Sequence, residues 1–250
     1  MAEPAAADPL QDVIAAASKK LNFPGVDKLY EWLRRHGHAV TKAQIKHFTD
    51  RQAVRQVFHQ PKRVSTIEQG KIVSVSLNER WMADLIDISA QPSSDGKASN
   101  SRDAPQRPFQ YILVVQNVFS RELFARLLRS KDPETVTEAF KSILGEAPRP
   151  GRIDTDNGAE FQGLFDGLLK KEGIDHVFKH VDDPNDLGTL DRAIQLLKRA
   201  IFRRVVAEHD PDWAAALKDT VAGMNDTVHN ALQGRTPEQV KDDRYLQFEL

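Results

Sequence analysis

The chain has 250 residues, 40% of them hydrophobic and 28% charged, which suits one good-sized domain plus a small one. It contains no cysteine, which excludes disulfides, thiol catalysis and cysteine-ligated zinc. No apolar run approaches the roughly 18 residues that a membrane-spanning helix needs, and the first residues lack the basic-then-apolar order of a secretory signal. We therefore expect a protein that is neither secreted nor membrane-spanning.

The net charge is −1, but the charges are unevenly placed. Residues 1–80 carry 13 Lys and Arg against 8 Asp and Glu, whereas residues 81–250 carry 22 against 28. An acidic body beside a basic arm fits a metal-dependent enzyme acting on a polyanion. It fits a protein without that role equally well, so charge alone does not decide the function.

The N-terminal part of the sequence predicts a disordered leader at residues 1–9 and a small helical domain at residues 10–58. Thr41 and Gln44 form a capping box for one of its helices, and a turn near Gly37 separates that helix from the one before it. The helix after the turn has basic side chains along its outer side: Lys42, Lys46, Arg51 and Arg55. This pattern is typical of a DNA-contacting helix-turn-helix. A small helical bundle with a solvated basic face explains it equally well.

A basic linker at residues 59–79 leads to a larger body at residues 80–245, which has a polar, flexible insertion at residues 91–108. Apolar runs predict strands at residues 81–89, 111–119, 121–128, 152–156 and 176–179. Helical spacing predicts helices at residues 132–144, 160–171, 189–208, 211–223 and 236–241. This order of strands and helices is typical of a mixed α/β layer.

Three aspartates stand at the edges of separate buried elements of this body. Asp84 lies within an apolar strand, Asp156 ends another strand, and Asp191 opens the long helix. Such carboxylates can hold two divalent cations, which phosphodiester chemistry uses. Each also has a simpler explanation. Asp84 can be a buried, paired acid, Asp-Asn-Gly is ordinary turn chemistry, and an aspartate at a helix N-terminus needs no metal.

Four motifs of the body resemble the catalytic core of retroviral and retrotransposon integrases, in the ribonuclease-H-like group. They are WMADLIDIS from residue 81, YILVVQNVFSRELFARLL from residue 111, TDNGAEF from residue 155 and MNDTVHNALQGRTPEQV from residue 224. The segment GVDKLYEWLRRHGHAVTKAQIKHF from residue 25 resembles the helical part that precedes the core in Polinton/Maverick-type transposon integrases. The resemblance covers residues 25–240.

The resemblance implies a ribonuclease-H-like fold, with a mixed five-stranded sheet flanked by helices and preceded by the helix-turn-helix-like domain. It implies DNA 3′-processing and strand transfer with two Mg²⁺ ions, Mn²⁺ as a substitute, and no zinc. The implied catalytic and metal-binding residues are Asp84, Asp156 and Asp191. DNA contacts are expected from Gln195, Lys198 and Arg199, with Arg203 and Arg204 extending the basic character of the helix. DNA is the implied partner, with assembly as a homo-oligomer if the chain is active, in the nucleus or cytoplasm.

The sequence departs from the integrase pattern at the third acid. The family has glutamate where this chain has Asp191, and 34 residues separate Asp156 from Asp191 instead of the family's 35. Asn117 also replaces an aspartate that many relatives have, and the His-His-Cys-Cys zinc finger is absent. A shorter arm endangers metal binding, because metal–oxygen distances tolerate only a few tenths of an ångström. Two hypotheses therefore stand: an active integrase or transposase, and a decayed or host-recruited protein that binds DNA or a partner without cutting.

Overall fold

A computed structural model describes residues 9–51, 74–88, 109–178, 188–208 and 213–249. Residues 1–8 of the predicted leader, most of the linker and the predicted insertion at 91–108 lie outside these residues, and Pro9, predicted in the leader, begins a helix. None of the helices in the described ranges has the length and apolar character that crossing a bilayer requires.

Three helices form an N-terminal unit, which we call the helical module: α1 (Pro9–Lys20), α2 (Val26–Arg35) and α3 (Lys42–Asp50). They share a small core whose fully buried side chains include Ile14, Leu29, Leu33 and Ile45. The predicted capping box is confirmed, since the Thr41 side chain accepts a bond from the Gln44 N–H and the Gln44 side chain accepts one from the Thr41 N–H.

The body is built on one five-stranded sheet with strand order β3-β2-β1-β4-β5, which confirms the predicted mixed sheet. β1, β2 and β3 pair antiparallel, whereas β4 and β5 run parallel to β1. The strands are β1 (Arg80–Asp87), β2 (Tyr111–Asn117), β3 (Leu123–Leu128), β4 (Arg152–Thr155) and β5 (Asp175–Phe178).

Helices cover both faces of this sheet. The helices are α4 (Pro133–Leu144), α5 (Leu164–Glu172), α6 (Gly188–Glu208), α7 (Trp213–Asn225), α8 (Pro237–Asp242) and α9 (Arg244–Glu249). On the face that we call the α5 face, Trp81, Ala83 and Ile153 share a core with Phe140 and Phe165 of α4 and α5. On the α6 face, the buried side chains include Met82, Ile86, Val114, Leu190 and Leu197. Successive side chains of a strand point to opposite faces, so β1 supplies both cores.

Several predicted boundaries in the body differ from the structure, and backbone geometry explains two of them. The helix expected at residues 160–171 is a 3-10 turn (Ala159–Phe161) followed by α5, because Gly163 interrupts it at φ +61°. The third strand starts two residues later than expected, because Arg121 has φ +62° and belongs to the β2–β3 turn. The start of α4 is confirmed, with Asp132 as N-cap and Pro133 at the first helical position.

The helical module packs against α6 and α7. The Asn22 side chain donates to the Thr220 carbonyl (2.9 Å) and accepts from Arg204 Nε, and Arg203 donates to the Phe23 carbonyl. The suggestion that Arg203 and Arg204 extend a DNA-facing basic surface was therefore wrong for Arg204, which is only 5% exposed. Its guanidinium binds the module, because a buried charge needs hydrogen-bonding partners.

Candidate active site

Asp84 lies in the middle of β1 and points to the α6 face. Its neighbours at alternate positions, Met82 and Ile86, belong to the α6-face core, whereas Ala83 belongs to the opposite core. Asp84 is only partly buried, and the Leu85 N–H donates to its Oδ1 at 2.7 Å. The apolar strand therefore presents one carboxylate where α6 crosses the sheet.

Asp156 follows the last residue of β4, the strand that pairs in parallel with the strand of Asp84. The parallel pairing of β1 with β4 ends with Met82 opposite Asp154, and Asp84 and Asp156 each come two residues further along. Neighbouring strands lie about 5 Å apart. Asp84 and Asp156 thus both follow the end of the β1–β4 pairing, on neighbouring parallel segments.

The Asp-Asn-Gly turn holds the Asp156 side chain in place. Its Oδ1 accepts a hydrogen bond from the Gly158 N–H at 3.1 Å. A Cβ on Gly158 would lie 2.7 Å from the Glu160 carboxylate and 3.0 Å from Asp156 Oδ1, so a larger residue here would displace the ends of these two side chains. Sequence reasoning did not select Glu160, a fourth acid at this edge, because its position depends on the 3-10 turn that replaced the expected helix.

Asp191 lies in the first turn of α6, next to the fully buried Leu190. Leu190 packs in the same core as Met82, so α6 brings Asp191 to the face that carries Asp84. Oxygen donors of this kind suit Mg²⁺ and Mn²⁺. Within the described ranges, however, no three His, Asp or Glu side chains gather closely enough to hold a metal ion. The structure therefore places the acids on adjoining elements without closing them into a cluster.

The basic residues predicted to contact DNA lie on two surfaces. On α6, Gln195 and Lys198 are exposed, and Arg199 is partly buried. The residues predicted on or next to α3 are all exposed: Lys42, Lys46 and Arg51. Lys42 forms an ion pair with Asp27 of α2 at 2.7 Å, so part of its charge is compensated within the module.

Two polar residues near the acids have structural partners. Asp154, 3% exposed, pairs with Arg80 and Arg152. Asn117 accepts bonds from the Phe119 and Ser120 N–H groups and donates to the Leu77 carbonyl. Asn117 thus builds the β2–β3 turn, where an amide serves better than a carboxylate because it both donates and accepts.

No protein-family model matches the chain. A transposon-derived protein of Caenorhabditis elegans is 25% identical over 132 residues, which are 52% of this chain and 46% of that protein. A second protein of the same organism is 29% identical over 128 residues, 51% of this chain and 10% of that protein. The chain thus spans less than half the length of the curated relatives that it matches.

Three similar solved structures come from retroviruses. A chain of the simian T-cell lymphotropic virus intasome, solved with PP2A regulatory subunit B56 gamma, has a TM-score of 0.60 and 14% identity, covering 94% of this chain and 74% of that chain. The HTLV-2 integrase catalytic core domain in complex with magnesium has TM-scores of 0.50 in a trimeric form, 17% identical, and 0.51 in a dimeric form, 15% identical. These cover 66% and 67% of this chain, and 96% and 98% of the HTLV-2 chains. The body of this protein therefore has the ribonuclease-H-like fold of retroviral integrase catalytic cores.

Proposed function

We propose that this chain is an integrase- or transposase-type polynucleotidyl transferase that cuts DNA and joins a DNA 3′ end to a target. Three acids on neighbouring elements carry this proposal: Asp84 on β1, Asp156 after the adjoining parallel strand β4, and Asp191 in the first turn of the helix that packs on β1. The likeness to integrase cores and to a transposon-derived protein supports it. The more specific origin in a Polinton/Maverick-type element rests on the resemblance of the helical module alone.

Asp84, Asp156 and Asp191 would hold two Mg²⁺ ions, or Mn²⁺ in their place. Bound ions of this kind stabilise the attacking and leaving oxygens of an in-line displacement. The chain's own backbone prepares two of these ligands, since the Leu85 and Gly158 N–H groups each fix one carboxylate oxygen. The HTLV-2 core was solved in complex with magnesium, which supports a divalent metal here.

DNA would lie along α6, beyond Asp191. Gln195 and Lys198 follow Asp191 by four and seven residues, so they share its side of the helix, and both are exposed. Arg199 adds positive charge next to Lys198, and contacts of this type bind the phosphate backbone without reading sequence. Lys46 and Arg51 of the helical module would form a second contact. We further propose a homo-oligomer, in the nucleus or cytoplasm, as the acting form.

A protein that binds DNA or a partner without cutting it is the second candidate. Its support is that the described acids do not form a closed metal cluster and that Asp191 is one methylene shorter than the family's glutamate. The two candidates predict the same DNA binding and different chemistry.

Nicking and strand transfer on labelled duplex DNA, with Mg²⁺ or Mn²⁺, distinguish them. We expect metal-dependent product from the wild-type chain, background product from Asp84→Asn, and more product from Asp191→Glu because the longer arm reaches further. Asp87→Asn is the matched control, because Asp87 is on the same strand but at a position that alternation places on the opposite face.

The outcomes test the proposed site and separate the two candidates. Product that survives Asp84→Asn would contradict the proposed site. No product from the wild type together with rescue by Asp191→Glu would show a decayed catalyst, and retained DNA binding with no product from any variant would support the second candidate.

A further inference from the structure

Three side chains form a continuous hydrogen-bonded chain that ends on the backbone of Asp156. Asp166 Oδ1 of α5 lies 2.8 Å from His176 Nδ1 of β5, and His176 Nε2 lies 2.9 Å from Thr155 Oγ1 at the end of β4. The Thr155 hydroxyl donates to the Asp156 carbonyl at 2.8 Å. We call Asp166, His176 and Thr155 the relay.

The relay is buried and its central ring is fixed by packing. Thr155 is fully buried and the His176 side chain is only 5% exposed. The ring of His176 makes an edge contact with Phe165 and a tilted contact with Phe178. Because its rotation is blocked, the ring can direct one nitrogen to α5 and the other to β4.

Two of the three bonds have a defined donor. The hydrogen bond from His176 holds the pKa of Asp166 below its ordinary value, so Asp166 accepts and Nδ1 donates. Thr155 has a single hydroxyl proton, and the bond to the Asp156 carbonyl uses it. The contact of His176 Nε2 with Thr155 Oγ1 completes the link from Asp166 to the backbone of Asp156.

The relay lies on the opposite face of the sheet from Asp84 and Asp191. The register of β4 with β5 sets Ile153 opposite His176 and Thr155 opposite Phe178. Thr155 and His176 therefore both lie on the face of Ile153, which is the α5 face. Asp84 and Asp191 lie on the α6 face. The link between the two faces is the peptide unit of Asp156, whose carboxylate position follows from where its backbone is held.

We propose that Thr155, His176 and Asp166 are positioning residues that fix the Asp156 carboxylate for divalent-metal binding from the opposite face of the sheet. This inference rests on the proposed function, because it assigns the relay to the metal site of that function. Groups that orient metal ligands typically change metal affinity or activity by about 10- to 100-fold when removed.

The test measures Mn²⁺ binding by electron paramagnetic resonance on the full chain, together with DNA nicking. Thr155→Val keeps the shape of the side chain but removes the hydroxyl, and we expect it to weaken Mn²⁺ binding by about 10-fold or more. Thr155→Ser restores the hydroxyl and should restore most of the affinity. Asp166→Asn, at a site near the surface, should give a smaller loss in the same direction. The matched control is Asp175→Asn, an exposed neighbour of His176.

Failure of the relay is distinguishable from failure of the proposed function. Equal Mn²⁺ affinity in the wild type, Thr155→Val and Asp166→Asn would overturn the relay, even if the wild type cuts DNA. Loss of affinity without rescue by Thr155→Ser would assign these residues to folding alone and also overturn it. A wild type that binds Mn²⁺ but cuts no DNA would overturn only the proposed function, and the order of the Mn²⁺ affinities would still decide on the relay.

Discussion

At the scale of single residues, His229 shows how surroundings set a charge state. Burial first, and then the positive charges of Arg121 and Lys28, lower the pKa of His229 to about 4. Its Nδ1 accepts a hydrogen bond from the Ala231 N–H at 3.2 Å, which requires that nitrogen to be unprotonated. The fold thus selects the neutral ring.

The stability of the protein should depend on pH through His229. The pKa is lower in the folded than in the unfolded chain, so the contribution is complete above about pH 6.5 and is lost as the pH falls toward 4. We expect a loss of about 1–2 kcal/mol, discounted because the ring is partly exposed. Urea unfolding at pH 7 and pH 4.5 measures it. His229→Gln should show a smaller loss, and an equal loss in both chains would contradict the assignment.

The residues of the site differ in how well sequence predicts them. Asp84 and Asp156 are recognisable in the sequence because a carboxylate within or directly after an apolar strand is costly to bury without a partner. His176 and Asp166 did not, because their bond depends on how α5 packs against β5 and not on any local pattern. The partners of Arg204 were also beyond reach, since Asn22 is 182 residues away in sequence.

At the scale of elements, glycine positions separate close packing from free surface. Gly223 lies in α7, where an added Cβ would be 2.1 Å from the Lys20 carbonyl oxygen. Gly167 lies in α5 with nothing within 4 Å of such a Cβ. The same substitution therefore meets opposite conditions in two helices.

Alanine at these two glycines should change stability in opposite directions. Gly223→Ala forces α1 away from α7 and should cost about 1–3 kcal/mol. Gly167→Ala should stabilise the protein by about 0.5–1 kcal/mol, because alanine loses less backbone entropy in a helix. Urea unfolding of the two variants and the wild type measures both changes. A Gly223→Ala chain as stable as the wild type would show that the α1–α7 contact is not close in solution.

Element prediction succeeded where local chemistry is decisive. The Asp132-Pro133 start of α4 and the Thr41 capping box are encoded within four residues, and both are confirmed. The break at Gly163 was missed, because a glycine at φ +61° and a helical glycine look alike in sequence. The short α9 (Arg244–Glu249) was missed as well, since six residues give little periodicity and it lacks the capping box and initial proline that mark the start of the equally short α8.

At the scale of the whole molecule, polar bonds join the helical module to the body. Trp32 Nε1 donates to Asp226 at 2.9 Å, and Lys20 pairs with the same carboxylate at 2.7 Å. Arg204 donates to Asn22 and to the Lys19 carbonyl. Sequence reasoning predicted two separate domains joined by a linker, because no local pattern reveals a contact between distant segments.

Removing the Arg204 guanidinium should loosen the module. Arg204→Met leaves the buried Asn22 side-chain oxygen and the Lys19 carbonyl without their donor, which should cost about 1.5–3 kcal/mol. Hydrogen exchange followed by mass spectrometry should then show that the variant, compared with the wild type, exchanges faster in α1 and α2 and at an unchanged rate in β1 and β2. Arg192→Met is the matched control on α6, because Arg192 is exposed. Uniformly faster exchange in all segments would contradict a local role.

The long helix α6 links two places that have been described separately. Arg204 lies 13 residues after Asp191, which is about 20 Å along an α-helix. The helix is held near its C-terminal end by the bonds of Arg204 to Asn22 and Lys19, and it carries the third acid in its first turn. A substitution that breaks the contacts of Asn22 should therefore change the orientation of α6 and shift the Asp191 carboxylate. Substitutions that destabilise the helical module are thus expected to lower the DNA cutting and joining activity as well.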